Sequence, residues 1–196
     1  MLWDVGNVFV RWTPRTLYSK IFPDPVQCDR FLGEVCTMAW HGRHDRGLSF
    51  TDGIAELTAR FPQHASAIAA WKTRWWEMFS GAIPETESCV AALHRNGVAQ
   101  FGLTNMADEV WDGVRRMSPA LDLLADVVIS GREGLIKPEP EIYAIACARA
   151  GLAAHELLFI DDSAANIDAA RALGFDTHLF EDPAALRPAL EARRLL

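Results

Sequence analysis

Leu157-Leu158-Phe159-Ile160-Asp161-Asp162-Ser163-Ala164-Ala165-Asn166-Ile167, running on through Ala169-Ala170 to Gly174, decides the fold. Four apolar residues end in two carboxylates, and a helical stretch follows with Ile167, Ala170 and Leu173 at helical spacing. Gly174 closes it with the residue type that tolerates a left-handed C-cap. This is a strand that turns directly into a helix. Downstream, Phe175-Asp176-Thr177-His178-Leu179-Phe180 is again strand-like. Upstream, Pro138 and Pro140 open a helix carrying Ile142, Ile145 and Ala146, and Gly151 stops it. Asp126-Val127-Val128-Ile129-Ser130 and Val98-Ala99-Gln100-Phe101-Gly102-Leu103 read as two earlier strands, and Leu2-Trp3-Asp4-Val5 as a further one. Strands alternating with helices at this spacing predict right-handed βαβ units and a mostly parallel α/β sheet.

Residues 14–82 have another texture. Ile54, Leu57, Thr58 and Phe61 recur at helical spacing, and no strand run interrupts them. The segment predicts an all-helical insert of four or five helices after the first strand. That divides the chain into an α/β core of residues 1–13 and 83–196 and a helical cap of residues 14–82. Trp40, Trp71, Trp75 and Trp76 fall in the insert and read as its core.

Composition narrows the function classes. Of 196 residues, half are apolar and 23% charged, which suits a packed globular protein. No run of 18 apolar residues offers a membrane span, and Met1-Leu2-Trp3-Asp4 has no basic region before an apolar run. Cys28, Cys36, Cys89 and Cys147 form no C-x-x-C pair, so they read as free thiols of a reducing compartment, the cytoplasm. A net charge of −7 argues against nucleic acid as a partner. The expected partner is a small molecule, and the expected state a monomer or homodimer.

In open parallel sheets, ligands bind beyond the carboxyl ends of the strands. The residues there are Asp4 after the first strand, Thr104-Asn105 after the second and Asp161-Asp162 after the fourth, with Lys137 in a loop entering a helix. Each alone has an ordinary reading, since a carboxylate at a strand end often caps a helix and a lysine before proline is usually solvated. Together they assemble three carboxylates, one cation and a hydroxyl–amide pair. Carboxylates converging on one point need a cation between them. An oxygen-only donor set suits Mg²⁺.

Asp4-Val5-Gly6-Asn7-Val8, Leu103-Thr104-Asn105, Lys137-Pro138 and Phe159-Ile160-Asp161-Asp162-Ser163 resemble, in order, the four motifs of the haloacid dehalogenase superfamily. The run from Asp162 to Gly174 resembles the subfamily with a helical cap inserted after the first motif, including a phosphatase branch whose first motif reads Asp-x-Gly-Asn-Val. The resemblance spans essentially the whole chain, and the fold it implies is a Rossmann-like parallel-sheet core with an all-helical cap covering the site. It implies Mg²⁺ held by Asp4, the Gly6 carbonyl and Asp161 or Asp162. It implies Asp4 as the nucleophile that forms an aspartyl-phosphate. It also implies Lys137 as a second positive charge, with Thr104 and the amides near Asn105 on the phosphoryl oxygens. Asn166 braces the loop after Asp162.

One position departs from the pattern. Most phosphatases of this superfamily carry a second aspartate, the general acid and base, two residues after the nucleophile; here it is Gly6. His41, His44 and Asp45 in the insert are candidates to replace it. A halide needs no proton on leaving, so a metal-free 2-haloacid dehalogenase using Asp4 is the alternative, and a weakly active or inactive binding module a third reading. The intact Asp161-Asp162 pair favours a Mg²⁺-dependent phosphatase of small phosphorylated metabolites such as sugar phosphates. For the substrate, Trp12 and the insert arginines Arg43 and Arg46 are candidates, set against hinge packing for Trp12 and surface ion pairs for the arginines. Only three residues precede Asp4, where strands usually have five or six. Either the native start lies upstream or the first strand is short.

Overall fold

The computed structural model describes residues 1–196. In chain order, β1 (Leu2–Trp3) and β2 (Val10–Trp12) lead into helices α1 (Pro14–Ile21), α2 (Pro25–Glu34), α3 (Met38–Asp45), α4 (Phe50–Arg60) and α5 (Ala65–Thr73). Then come β3 (Phe79–Ala82), α6 (Pro84–Arg95), β4 (Phe101–Thr104), α7 (Asp108–Arg115), β5 (Asp126–Ile129) and α8 (Ser130–Glu133). The chain ends with α9 (Pro140–Ala150), β6 (Leu158–Asp161), α10 (Ala164–Ala172), β7 (Asp176–Leu179) and α11 (Pro183–Ala192).

Five strands form one parallel sheet in the order β5-β4-β1-β6-β7. β1 has only two residues, yet both its edges are paired: Leu2 lies opposite Phe101 and Phe159, and Trp3 opposite Gly102 and Ile160. Successive side chains of a strand point to opposite faces, and this sorts the core. Leu2 joins Leu103, Ile142, Tyr143, Phe159 and Phe175 under α9 and α10. Trp3 faces the larger cluster that continues into the insert helices, where its indole Nε1 donates to Gln100 Oε1 at 3.2 Å. Asp4 therefore leaves the centre of the sheet between two neighbours, anchored by its own N–H to Ile160 O at 2.8 Å.

The helices of the core end where sequence punctuation puts them. α9 starts at Pro140, and Gly151 closes it at φ 66°, a left-handed conformation that glycine adopts without strain. α10 begins directly after Asp161-Asp162-Ser163 and stops just before Gly174.

The insert is helical, with α1 to α5 all lying between β2 and β3. Threonine or serine caps α1, α3 and α4 through Thr13, Thr37 and Ser49, each side chain accepting from a backbone N–H of the first turn. Trp40 and Trp71 are core, packed edge-to-face at 5.1 Å, whereas Trp76 is half exposed. What the periodicity did not reveal is the stem. Phe79-Ser80-Gly81-Ala82 pairs antiparallel with β2, Trp12 opposite Phe79 and Val10 opposite Ala82. Ser, Gly and Ala have weak strand preference, so this strand exists because its partner, on the other side of the insert in the chain, is brought beside it.

Candidate active site

Four of the predicted groups meet at the carboxyl edge of the sheet. Asp4, Asp161 and Asp162 each offer a carboxylate oxygen, and these lie within 4.8 Å of one another. Lys137 reaches in between, its Nζ 2.8 Å from Asp4 Oδ1 and 2.6 Å from Asp161 Oδ2, and it also donates to Leu103 O at 2.9 Å. Lys137 is 3% exposed, so these bonds replace the hydration of its ammonium. Burial alone would push Lys137 down, but Asp161 and Asp4 outweigh that and hold it above its ordinary value.

Three carboxylates against one ammonium leave a surplus of two negative charges. The strain shows in the protonation equilibria. Burial pushes Asp4 up to about 7; Lys137 pulls it down, and Asp161 and Asp162 add to the rise. Asp162 is also raised, by burial and by Asp161, with the Asn7 amide and Lys137 acting the other way. An added cation would relieve this surplus. A Mg²⁺ ion with bonds of about 2.1 Å holds its ligand oxygens no more than about 4.2 Å apart, which the cluster can reach with small adjustments. The donor set therefore fits a small, hard, divalent cation.

The two adjacent aspartates do different work. Asp161 is fully buried, and its oxygens already accept from Lys137, from Ser163 N at 2.8 Å and from Asn166 Nδ2 at 3.0 and 3.1 Å. Asn166 thus braces the loop from the first turn of α10, and Tyr143 holds Asn166 in turn by donating to its carbonyl at 3.0 Å. Asp162 is exposed on the cavity wall with acceptor capacity to spare.

Asn105 faces the same cavity, but its amide is occupied. Oδ1 accepts from Lys137 N at 2.8 Å and Nδ2 donates to Lys137 O at 2.9 Å, clamping the loop that carries the lysine. Thr104, at the end of β4, is 1% exposed, and its hydroxyl has no partner within the protein. A buried hydroxyl left unpaired is costly; Thr104 is not itself among the residues that line the cavity, whereas its neighbour Asn105 is.

The cavity has a volume of about 400 Å³. Asp4, Gly6, Lys137 and Asp162 form its polar end, and Val10, Trp12, Met38, Trp75 and Phe79 give it an apolar wall. Trp12 belongs to the stem and also lines the cavity, stacked on His41 at 5.0 Å and tilted on Trp75 at 5.6 Å. Trp75, read from sequence as core, lines the cavity as well. Gly6 lies open to this space, since a Cβ built there meets nothing within 4 Å. Asn7 sits at φ 53°, a left-handed conformation asparagine tolerates better than most residues. Its Oδ1 accepts from Trp12 N at 3.0 Å and so ties the loop after β1 to the stem. Met38, Trp75 and Phe79 had no signal in the sequence, because side chains of ordinary core type become walls only once the insert is docked.

The insert candidates separate. Asp45 and His41 line the cavity. His44 does not; its Nδ1 is bonded to Leu48 O at 2.9 Å. The structure does not bring Arg43 to the cavity: half exposed, it pairs with Glu56 at 2.7 Å. Arg46 pairs with Glu139 at the surface. Arg43→Ala is accordingly expected to leave kcat and KM within about twofold, the range of surface changes worth about 0.5 kcal/mol. A tenfold rise in KM in steady-state assays would contradict that placement.

A parallel sheet carrying this ordered carboxylate–lysine site, with helices inserted after its central strand, defines a class, and comparison with known proteins agrees. Residues 18–174 match the haloacid dehalogenase-like hydrolases, and the chain belongs to that family of hydrolases. It is 26% identical over 200 residues to the sesquiterpene phosphatase astK of Aspergillus oryzae, covering all of this chain and 95% of that one. It is 28% identical over 96 residues to (S)-2-haloacid dehalogenase 1 of Pseudomonas sp., covering 49% of this chain and 42% of that one. Among solved structures, the HAD family enzyme bt-2542 of Bacteroides thetaiotaomicron, in complex with magnesium and inorganic phosphate, has the same fold: TM-score 0.71, 19% identity, 94% of this chain and 96% of that one. No helix of the chain is long and apolar enough to cross a membrane.

Proposed function

We propose that this hydrolase is a Mg²⁺-dependent phosphomonoester phosphatase acting through an aspartyl-phosphate on Asp4, with residues 1–13 and 83–196 as its catalytic core and residues 14–82 as its cap. The observation that carries the reading is the intact cluster of Asp4, Asp161 and Asp162 around Lys137 at the polar end of the cavity. Asp4, the Gly6 carbonyl and Asp162 would hold the cation, with Asp161 supplying charge and fixing Lys137. Bound there, Mg²⁺ would offset the repulsion between carboxylate and phosphate and stabilise the charge of the transferring group. The Asp4 carboxylate attacks phosphorus while the bond to the ester oxygen breaks; water then cleaves the acyl phosphate and regenerates Asp4. Lys137 offers its charge to the phosphoryl oxygens, and the Thr104 hydroxyl and the amides beyond Asn105 complete their hydrogen bonding.

The wall formed by Val10, Trp12, Met38, Trp75 and Phe79 supports an ester whose alcohol has hydrocarbon surface. A sugar would set hydroxyls against Val10, Met38 and Phe79, whose side chains offer them no good partner. The similarity to a sesquiterpene phosphatase agrees with an apolar alcohol.

A dehalogenase is the second reading, favoured by Gly6 because a halide leaves unprotonated. One panel separates the two. Phosphate release from hexyl phosphate, glucose 6-phosphate and p-nitrophenyl phosphate is measured with Mg²⁺ and with EDTA, beside halide release from 2-chloropropionate. The expected result is Mg²⁺-dependent phosphate release, greater for the hexyl than for the sugar ester. Halide release that persists in EDTA, with no phosphate released from any ester, would overturn it.

A further inference from the structure

An alkyl ester needs a proton at its leaving oxygen as the bond to phosphorus breaks, and Gly6 cannot give one. Five ionisable side chains line the cavity: Asp4, His41, Asp45, Lys137 and Asp162. Asp4 is the nucleophile of the reading above, Asp162 belongs to the cation cluster, and Lys137 is bonded to two carboxylates. His41 is stacked on Trp12, and burial holds its imidazole down to about 3, neutral and a poor acid. Asp45 remains.

We propose that Asp45 is the proton donor to the leaving alcohol and then the base for the hydrolytic water, a role that rests on the phosphatase reading. In the first step the O–P bond to Asp4 forms, the ester O–P bond breaks, and the Asp45 proton passes to the ester oxygen, giving the alcohol, the aspartyl-phosphate and the Asp45 carboxylate. In the second step Asp45 takes a proton from water as its oxygen attacks phosphorus, and Asp4 leaves as a carboxylate. Atoms and charge balance, and both groups return to their starting forms.

The site around Asp45 is built for such a group. It is the last residue of α3, with a side chain 11% exposed to the cavity. Its Oδ1 has no hydrogen-bond partner, and His41 Nε2 lies 3.5 Å away. Its backbone is fixed to the core: Ser130 Oγ donates to Asp45 O at 2.6 Å, and Met106 N donates to Ser130 Oγ at 2.9 Å. The insert thereby delivers this carboxyl to the loop that follows Thr104. Burial pushes Asp45 up to about 7, with Lys137 and the Ala107 N–H pulling the other way. The groups facing it are His41 from its own helix, Lys137 from the loop before α9 and the Ala107 amide from the loop after β4. An acid of that strength serves both half-reactions near neutrality.

The test compares Asp45→Asn with the wild type on hexyl phosphate, whose alkoxide needs the proton, and on p-nitrophenyl phosphate, whose phenolate does not. The readout is the ratio of the two kcat/KM values, which does not depend on how much enzyme is folded. The ratio is expected to fall by about 10²–10⁴-fold in the variant. In the wild type it should decline above about pH 7 as Asp45 ionises, and in the variant it should be flat with pH. If both esters slow equally, or neither does, the Asp45 role is overturned while the phosphatase reading stands. If the wild type hydrolyses neither ester, the phosphatase reading fails and takes the role with it.

Discussion

Asp4→Asn is expected to abolish phosphate release while the protein stays folded. The amide keeps the shape of the carboxylate but cannot form the acyl phosphate, and losing an enzyme nucleophile costs on the order of 10⁴–10⁶-fold in kcat. Stability should not fall with it. The amide oxygen of the variant can still accept from Lys137, and Lys137 keeps Asp161 at 2.6 Å. The sign of the linkage points the same way. Burial raises the Asp4 carboxyl from 3.8 to about 7 in the fold, so the folded protein binds the more protons between those values, and stability is lost as pH rises through them. Removing the charge removes that loss, so above pH 7 in EDTA the variant's Tm should equal or exceed the wild type's. Thermal unfolding and a phosphate assay on one preparation check both halves. Full turnover in the variant would sink the covalent scheme.

Lys137→Met is expected to give the largest loss of stability. The substitution keeps an unbranched side chain of similar length and removes the only ammonium between Asp4 and Asp161. Breaking a buried pair by removing one partner costs about 3–5 kcal/mol, because the remaining charge has neither water nor counter-charge. In a chain of this length that corresponds to a fall in Tm of roughly 6–20 °C, measured in EDTA. Adding Mg²⁺ should recover part of the loss, since a bound divalent cation supplies positive charge to the same carboxylates. An unchanged Tm in EDTA would mean that the lysine contributes nothing to holding the cluster together.

Much of this architecture was legible in the chain itself. The strand Leu158–Asp161, the helices from Pro140 and Ala164, and the insert helices follow from periodicity, capping residues and chain punctuation, all of them local effects. Because a parallel strand delivers its last residues to one edge of the sheet, strand order alone groups Asp4, Thr104 and Asp161-Asp162. Lys137 needed more. It arrives from a loop well beyond Ser130, where Asn105 clamps its backbone and Leu103 O holds its ammonium beside the carboxylates.

Other features lay beyond local reading. The strand Phe79–Ala82 has no signature of its own and exists through pairing with Val10–Trp12. Arg43 and Asp45 are near neighbours in one basic, histidine-rich run, yet one turns to solvent and Glu56 while the other faces the cavity. The division of labour between Asp161 and Asp162 depends on which oxygens Lys137, Ser163 and Asn166 occupy. The order of strands and helices, the inserted segment and the polar residues at the strand ends were therefore set by the chain's own spacings, each only a few residues long. Which wall of the cavity is apolar, which aspartate remains open and which carboxyl of the insert reaches the site emerged only on folding. Those depend on contacts between residues far apart in the chain, where local periodicity carries no information.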